Sequence, residues 1–201
     1  MDVALYEPML RMLDEMIPVH AATGYVRERI GSATEYVVPH NHYQSRDGRW
    51  IAIACTNDRM FERLAQGMGR PALVDMFPSM AERIRRRTEL DGLVQAWVGS
   101  IDAAKALAVL EAAEVPCGLV ASVKDLFEDP HVRARENIVQ MPSPLGGLLA
   151  MAGIVPKLTV SPGHIDHTGP VEVGAHNEEI YCGRLGLTRD DLHALAERGV
   201  V

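Results

Sequence analysis

The sequence is poor in cysteine, and its basic residues do not outnumber its acidic ones. Its 3 cysteines are odd in number and widely spaced, which excludes a disulfide framework and a zinc-binding spacing. A reducing compartment, the cytoplasm, is the simple interpretation. The 20 Lys and Arg residues against 27 Asp and Glu residues give a net charge of −7. This charge argues against a nucleic-acid-binding protein, because such a protein needs a basic face.

Long apolar runs and several well-known nucleotide and nucleophile motifs are also missing. No apolar run approaches the roughly 20 residues that a membrane-spanning helix needs, so we expect no membrane partner. The first residues carry acids at once and lack a basic region, which is not typical of a signal peptide. There is no P-loop, dinucleotide fingerprint or nucleophile elbow. With 201 residues, 47% hydrophobic and 23% charged, the chain is typical of a globular protein with one or two domains.

Turn and strand signals predict a β-hairpin in the first half of the chain. Asp47-Gly48 is a strong turn signal between two segments that together run from Tyr43 to Cys55. The second segment has apolar residues on both faces, so we expect it to be an interior strand. A further short strand is predicted at 117–121.

Capping residues predict where the helices begin. The candidate caps are Asn57, Thr88, Ser100, Ser122 with Asp125, and Thr188. A helix at the start of the chain would bend near Pro8 or end near Pro18. A further strand is predicted at 138–141, and residues 142–172 are predicted to be a mostly extended connection. Because strands and helices mix without a regular βαβ alternation, the predicted fold class is α+β with a short sheet.

His40-Asn41-His42 is the densest polar cluster of the sequence. Two His side chains two residues apart on an extended segment point to the same face, so they could bind a metal. No carboxylate or Cys lies nearby at a ligand spacing, and we therefore predict no metal site. The other interpretation is a polar loop that leads into the hairpin.

Three further candidates have plainer explanations. Arg83 to Arg87 could bind a phosphate, but successive helical residues turn by about 100° and cannot all face one ligand. We expect a solvated helix face with one or two acidic partners. His164, Asp166 and His167 lie in the Pro- and Gly-rich connection, where nothing positions a substrate. Cys117 has no basic neighbour in sequence and is expected to be a core residue rather than a nucleophile.

Six short stretches occur in a recognisable order along the chain. They are Asp2–Leu5, Val115–Val120, Glu128–Arg135, Gly153–Leu158, Gly174–Glu179 and Leu185–Asp191. In this order they resemble the C-terminal half of the class III CoA transferases, the family of formyl-CoA transferase, carnitine CoA-transferases and α-methylacyl-CoA racemase. The fifth stretch departs from the family pattern, because Ala175 replaces an acid and Asn177 a hydroxyl residue.

The resemblance implies a domain organisation. Members are about twice as long and have a Rossmann-like large domain, which makes the full family α/β, together with a small domain. Two ring-shaped subunits interlock as a homodimer. Residues 1–40 would then be a linking helix and loop, 41–150 the small α+β domain, and 151–201 a return segment and C-terminal helices that complete the large domain.

The resemblance also implies a substrate-binding segment. In formyl-CoA transferase a glycine-rich loop before the hairpin closes over the reacting thioester. The matching stretch here runs from Gly31 to Tyr43 and keeps only Gly31 of the glycines. We therefore predict Gly31, His40, Asn41 and His42 as substrate-binding residues, with a chemistry that differs from the mobile glycine loop. The implied substrates are an acyl-CoA and a carboxylate, so coenzyme A is a substrate and no separate cofactor is predicted.

The family's catalytic groups lie upstream of the matching half. In the transferases an aspartate attacks the thioester, and the covalent intermediate divides one transfer into two steps. The racemases instead use an upstream acid–base pair. No acid of this sequence lies in a matching motif, so no catalytic residue is predicted here. A transferase part, a racemase part, and an inactive binding module for a partner that carries the N-terminal half remain open.

Overall fold

The computed structural model describes residues 2–201, and these fall into two compact units. The first unit ends at Val120 and the second is Ala121–Val201. The boundaries predicted at residues 40 and 150 refer to the longer proteins of the family and remain a prediction. The predicted α+β class is confirmed, since helices accompany two small antiparallel sheets.

The first unit contains a three-stranded antiparallel sheet. Its strands are β1 (His40–Gln44), β2 (Trp50–Ala54) and β3 (Cys117–Leu119), with β2 in the middle. The helices in chain order are α1 (Glu7–Met12), α2 (Met16–Thr23), α3 (Asp58–Gly67), α4 (Leu73–Met76), α5 (Met80–Arg85), α6 (Arg87–Val98) and α7 (Ala103–Ala112). The hairpin and its interior strand are therefore confirmed.

The core of the first unit lies against one face of this sheet. Ile51 and Ile53 of β2 are fully buried there, because alternate residues of a strand point to opposite faces. They belong to a cluster of buried side chains that α3, α6 and α7 complete. Its helical members include Phe61, Leu64, Leu90, Val94, Val98, Ala106 and Leu110. The opposite face of the sheet is left uncovered by this core.

The hairpin turn between β1 and β2 also binds the first backbone N–H of helix α7. Gly48 adopts a positive φ of 79°, and the Asp47 carboxylate accepts hydrogen bonds from the Ser45 hydroxyl (2.6 Å) and the Ala103 backbone N–H (3.0 Å). These bonds, the first foremost, hold the pKa of Asp47 below its usual value. Asp47 thus satisfies a free N–H at the start of α7 from outside the helix.

Two predicted helix caps are wrong. Thr88 lies inside α6, which begins at Arg87. Ser100 donates its hydroxyl to the carbonyl of Trp97 (2.7 Å), and the residue before α7 is Asp102. At α7 a tertiary contact from Asp47 replaces the predicted local cap, and at α6 no side chain of the preceding residue caps the helix.

The beginning of the chain also differs from the prediction. Pro8 and Pro18 each lie in the first turn of a helix, α1 and α2 respectively, where proline is tolerated. The break falls between Met12 and Met16, so neither proline ends or bends a helix.

The second unit is built on a β-hairpin and short helices. Strands β4 (Ile138–Pro142) and β5 (Leu148–Ala152) pair antiparallel, with Ile138 opposite Ala152. The helices are α8 (Val123–Glu128), α9 (Pro130–Ala134), a π-helix (Glu178–Arg184) and α10 (Arg189–Glu197). Ser122 with Asp125 and Thr188 with Asp191 form capping boxes, which confirms both predicted caps. The strand at Leu148–Ala152 was predicted only as extended chain.

Among the described residues, no single helix has the length and apolar composition to cross a membrane. The pair α6 and α7, bent by 114°, meets that test together on length and composition alone.

Candidate functional site

A groove lies in the first unit beside the sheet, and we call it the sheet groove. Its volume is about 260 Å³. The strands bring His42, Ala52 and Gly118 into one cross-strand row, with His40 opposite Ala54 in the next row. By alternation these residues belong to the face opposite the buried Ile side chains. The lining residues are Ser32, Thr34, His40, Asn41, His42, Ala52, Ile53, Ala54, Pro116, Cys117 and Gly118.

The floor of the sheet groove is made of very small residues. Ala52, Ala54 and Gly118 leave the middle of this face without bulky side chains. A Cβ added at Gly118 would meet no heavy atom within 4 Å, and its φ is not in the left-handed region. The absence of a side chain at this position therefore leaves open space rather than relieving a clash.

Strand β1, at the edge of the sheet, contributes two imidazoles to the sheet groove. His42 is exposed and His40 is half-buried. The Nδ1 atom of His40 is buried and has no hydrogen-bond partner among the described residues. The hydroxyls of Ser32 and Thr34 already donate to the side-chain oxygen of Asn41 (2.6 Å) and the carbonyl of Val37 (3.3 Å), but an imidazole can donate a hydrogen bond to a carboxylate or carbonyl oxygen. The groove is therefore equipped to bind an oxygen-rich group.

Asn41 has a different environment from its two His neighbours. Its side-chain oxygen accepts hydrogen bonds from the Ser32 hydroxyl (2.6 Å) and the His42 backbone N–H (2.8 Å). Its amide nitrogen donates to Asp91 of α6 (3.3 Å). Asp91 also accepts a 2.6 Å hydrogen bond from Tyr43, whose pKa is raised by burial and then by the Asp91 charge. Asn41 thus joins the loop before β1 to helix α6.

The groove offers binding groups but no evident nucleophile. None of its lining residues, all within the described chain, carries a carboxylate. Cys117 is half-buried, and burial, followed by the charge of Glu111, raises the pKa of its thiol. A protonated thiol is a poor nucleophile, as the sequence interpretation of Cys117 expected. The buried Cys55 is further still from ionisation, because burial raises its pKa to about 12.

The other sequence candidates lie elsewhere. Gly31 precedes the groove-lining Ser32 and has a φ of +72° in a turn. In the second unit, His164 lies 3.3 Å from Asp166, and both side chains are exposed. His167 stacks on His176 at a centroid distance of 5.0 Å. Among the described residues, no three His, Cys, Asp or Glu side chains form a group that could hold a metal ion.

The expectation of a solvated helix face with one or two acidic partners is wrong for Arg83, which is buried, and holds only in part for the half-buried Arg86 and Arg87. Arg83 is 1% exposed and donates to the carbonyls of Val38 (3.0 Å) and Phe77 (3.3 Å). It also pairs with Asp58. Arg85 does behave as expected, since it is exposed and pairs with Glu82. The two positions differ by about 200° around helix α5, so the helical period places them on opposite sides, although it does not say which side is buried.

Sequence reasoning missed Asp91 and the small residues of the floor. Asp91 lies four residues after Arg87, which places both on one side of α6. The sequence shows that spacing. The partner of Asp91, however, is Asn41 in β1, 50 positions earlier, and no local signal predicts such a contact. The role of Ala52 and Gly118 depends on strand register, which the sequence did not specify.

Two solved structures with a similar fold belong to proteins about twice as long. A crystal structure of a CAIB/BAIF family protein from Brucella suis superposes with a TM-score of 0.73 at 25% identity, over 90% of this chain and 46% of its own. A hypothetical protein from Mycobacterium tuberculosis superposes with a TM-score of 0.67 over 87% of this chain and 45% of its own. At 18% identity the latter shows the fold alone.

The sequence assigns the family. The model of CoA-transferase family III matches residues 1–177, and the chain belongs to this family. It is 38% identical to a succinyl-CoA–D-citramalate CoA-transferase of Chloroflexus aurantiacus, over 100% of this chain and 50% of the relative. It is 36% identical to the beta subunit of a succinyl-CoA–L-malate CoA-transferase of the same organism, with the same coverage. A formyl-CoA:oxalate CoA-transferase of Streptomyces avermitilis is 33% identical over 69% of this chain and 34% of its own. The chain spans about half the length of the first two relatives.

Proposed function

We propose that this chain supplies one half of a CoA-transferase that moves CoA from an acyl-CoA to a carboxylate. The observation that carries the proposal is the match over the whole chain to a succinyl-CoA-dependent transferase of twice the length. The nucleophilic aspartate that the family uses would come from the other half. The absence of a carboxylate among the groove-lining residues is consistent with this division.

We further propose that the donor is succinyl-CoA and the acceptor a hydroxydicarboxylate. The relatives named above carry D-citramalate and L-malate in their names. The sheet groove fits a carboxylate end, because the imidazoles of His40 and His42 lie beside a floor without bulk. In this proposal Gly31, His40, Asn41 and His42 serve the acyl or acceptor side. The nucleotide of CoA is held elsewhere, since the chain has a net charge of −7.

The proposal includes a partner, a compartment and no cofactor other than the substrate CoA. A polypeptide with the N-terminal half, or a homodimer built with it, would complete the site. Two relatives are named as alpha and beta subunits of one transferase, which supports assembly from more than one chain. The cytoplasm, where CoA esters are available, remains the proposed compartment.

Complementation in trans tests this function. The purified chain is mixed or coexpressed with the polypeptide that supplies the other half, and CoA esters are followed by chromatography with succinyl-CoA and either L-malate or D-citramalate. We expect turnover from the pair and none from either part. Solvent deuterium incorporation next to the thioester without CoA transfer would instead indicate a racemase. A stable complex that catalyses neither reaction would indicate an inactive binding module.

A further inference from the structure

The loop that forms one wall of the sheet groove is held by helix α6. We call residues 32–36 the wall loop. The two terminal nitrogens of Arg87 donate hydrogen bonds to the backbone carbonyls of Thr34 and Glu35. These carbonyls are successive acceptors, and a planar guanidinium can reach both at once. The first turn of α6 is thus fixed directly to the wall loop.

A second attachment reaches the same loop from one helical turn further along. Asp91 accepts from the amide of Asn41, and the oxygen of Asn41 accepts from the hydroxyl of Ser32. The backbone N–H of Thr34 adds a 3.3 Å hydrogen bond to the carbonyl of His40. The wall loop is therefore attached at both its beginning and its middle.

The neighbouring arginines do not share this role. Arg86 pairs with Glu89 (2.6 Å) and lies over the Phe77 ring at 4.4 Å. Arg83 bonds to the carbonyls of Val38 and Phe77. Among these three arginines, Arg87 is the one that contacts the wall loop. Arg83 and Arg86 bind groups outside the wall loop, so Arg87 differs from them in placing the groove wall.

We infer that Arg87, supported by the Asp91–Asn41–Ser32 chain, is a positioning residue that fixes the wall loop and thereby sets the length of acyl group that the sheet groove accepts. The inference rests on the proposed function for its substrate. Its structural half concerns only the order of the wall loop and can be tested on this chain alone. Arg87 is not expected to contact substrate.

Hydrogen exchange of the chain tests the attachment. Arg87→Lys replaces two parallel hydrogen bonds by one mobile ammonium, and Ser32→Ala removes the second attachment without touching the core. We expect the Thr34 amide to exchange about tenfold faster in each variant, since the loss of about 1.4 kcal/mol of local stability is a factor of ten. Arg86→Lys is the matched control and should leave it unchanged. Wild-type exchange at the wall loop in both variants would overturn the inference.

Donor preference of the complemented enzyme tests the consequence. We expect Arg87→Lys to change the ratio of kcat/KM for succinyl-CoA over glutaryl-CoA by about tenfold, the size of effect that a pocket has on a difference of one methylene. The change should lie mainly in KM, and Arg86→Lys should keep the wild-type ratio. An equal loss with both donors would show a merely structural role and overturn the inference. If the wild-type pair shows no turnover, the proposed function fails, and the exchange of the Thr34 amide alone decides the role of Arg87.

Discussion

At the scale of single residues, burial decides what a charged side chain does. Arg83 and Arg85 are two positions apart, yet the first is 1% exposed and the second is a surface residue paired with Glu82. A buried guanidinium must form hydrogen bonds with protein groups, because water cannot reach it. An exposed guanidinium can replace a protein hydrogen bond by one to water with little change in free energy. The same residue type therefore has two very different contributions to stability.

This difference predicts a stability contrast. Arg83→Met should reduce the free energy of unfolding by about 3 kcal/mol, because the carbonyls of Val38 and Phe77 and the carboxylate of Asp58 lose their partner. Arg85→Met should reduce it by about 0.5 kcal/mol or less. Urea unfolding followed by tryptophan fluorescence reports on the first unit, because Trp50 and Trp97, the only 2 tryptophans, lie in it. Equal midpoints for the two variants would contradict the assigned role of Arg83.

Gly118 gives a second prediction at the scale of single residues: a substitution there should lower activity and leave stability nearly unchanged. Gly118→Leu should lower kcat/KM of the complemented enzyme about a hundredfold or more, because the new side chain would occupy the open floor of the sheet groove. The midpoint of urea unfolding should change little, since nothing within 4 Å opposes the new Cβ. Gly92→Leu, on the exposed side of α6, is the control. Full activity of Gly118→Leu would show that substrate does not enter this groove.

At the scale of elements, the sequence predicts what local chemistry determines and fails where distant residues decide. The turn Asp47-Gly48 and the caps Asn57, Ser122 and Thr188 act within three or four residues, and all were predicted correctly. The start of α7 was not, because its N-terminal N–H is satisfied by Asp47, 56 positions away. His40 and His42 line the sheet groove, and their substrate-binding role stays a prediction. The floor of the groove and Asp91 depend on strand register and tertiary contact, which local sequence does not specify.

Two threonines were predicted to cap helices, and the structure confirms Thr188 but not Thr88. They give a matched pair of variants. Thr188→Ala should destabilise the start of α10 by about 1 kcal/mol, because it removes the hydroxyl that accepts from the Asp191 N–H. Thr88→Ala, exposed and inside α6, should change local stability by less than about 0.5 kcal/mol, since alanine is the better helix former. Hydrogen exchange in the first turn of each helix measures both effects. If Thr88→Ala destabilised its helix more than Thr188→Ala does, the assignment of Thr88 as an interior helix residue would be contradicted.

At the scale of the whole molecule, the first two helices expose apolar side chains to solvent. Helices α1 and α2 contain no buried residue. Leu5 is 98% exposed, Met9 65% and Met12 78%, and exposed large apolar side chains promote association when they lie together. We expect the purified chain to associate reversibly, with a sedimentation coefficient that rises with concentration. The variant Leu5→Gln/Met9→Gln/Met12→Gln should remain monomeric, and Glu7→Gln/Arg11→Gln, in the same helix, should behave as wild type. Because the core of the first unit lies elsewhere, the triple variant should keep the unfolding midpoint of the wild type. A chain that is monomeric at every concentration would show that α1 and α2 are stable in water on their own.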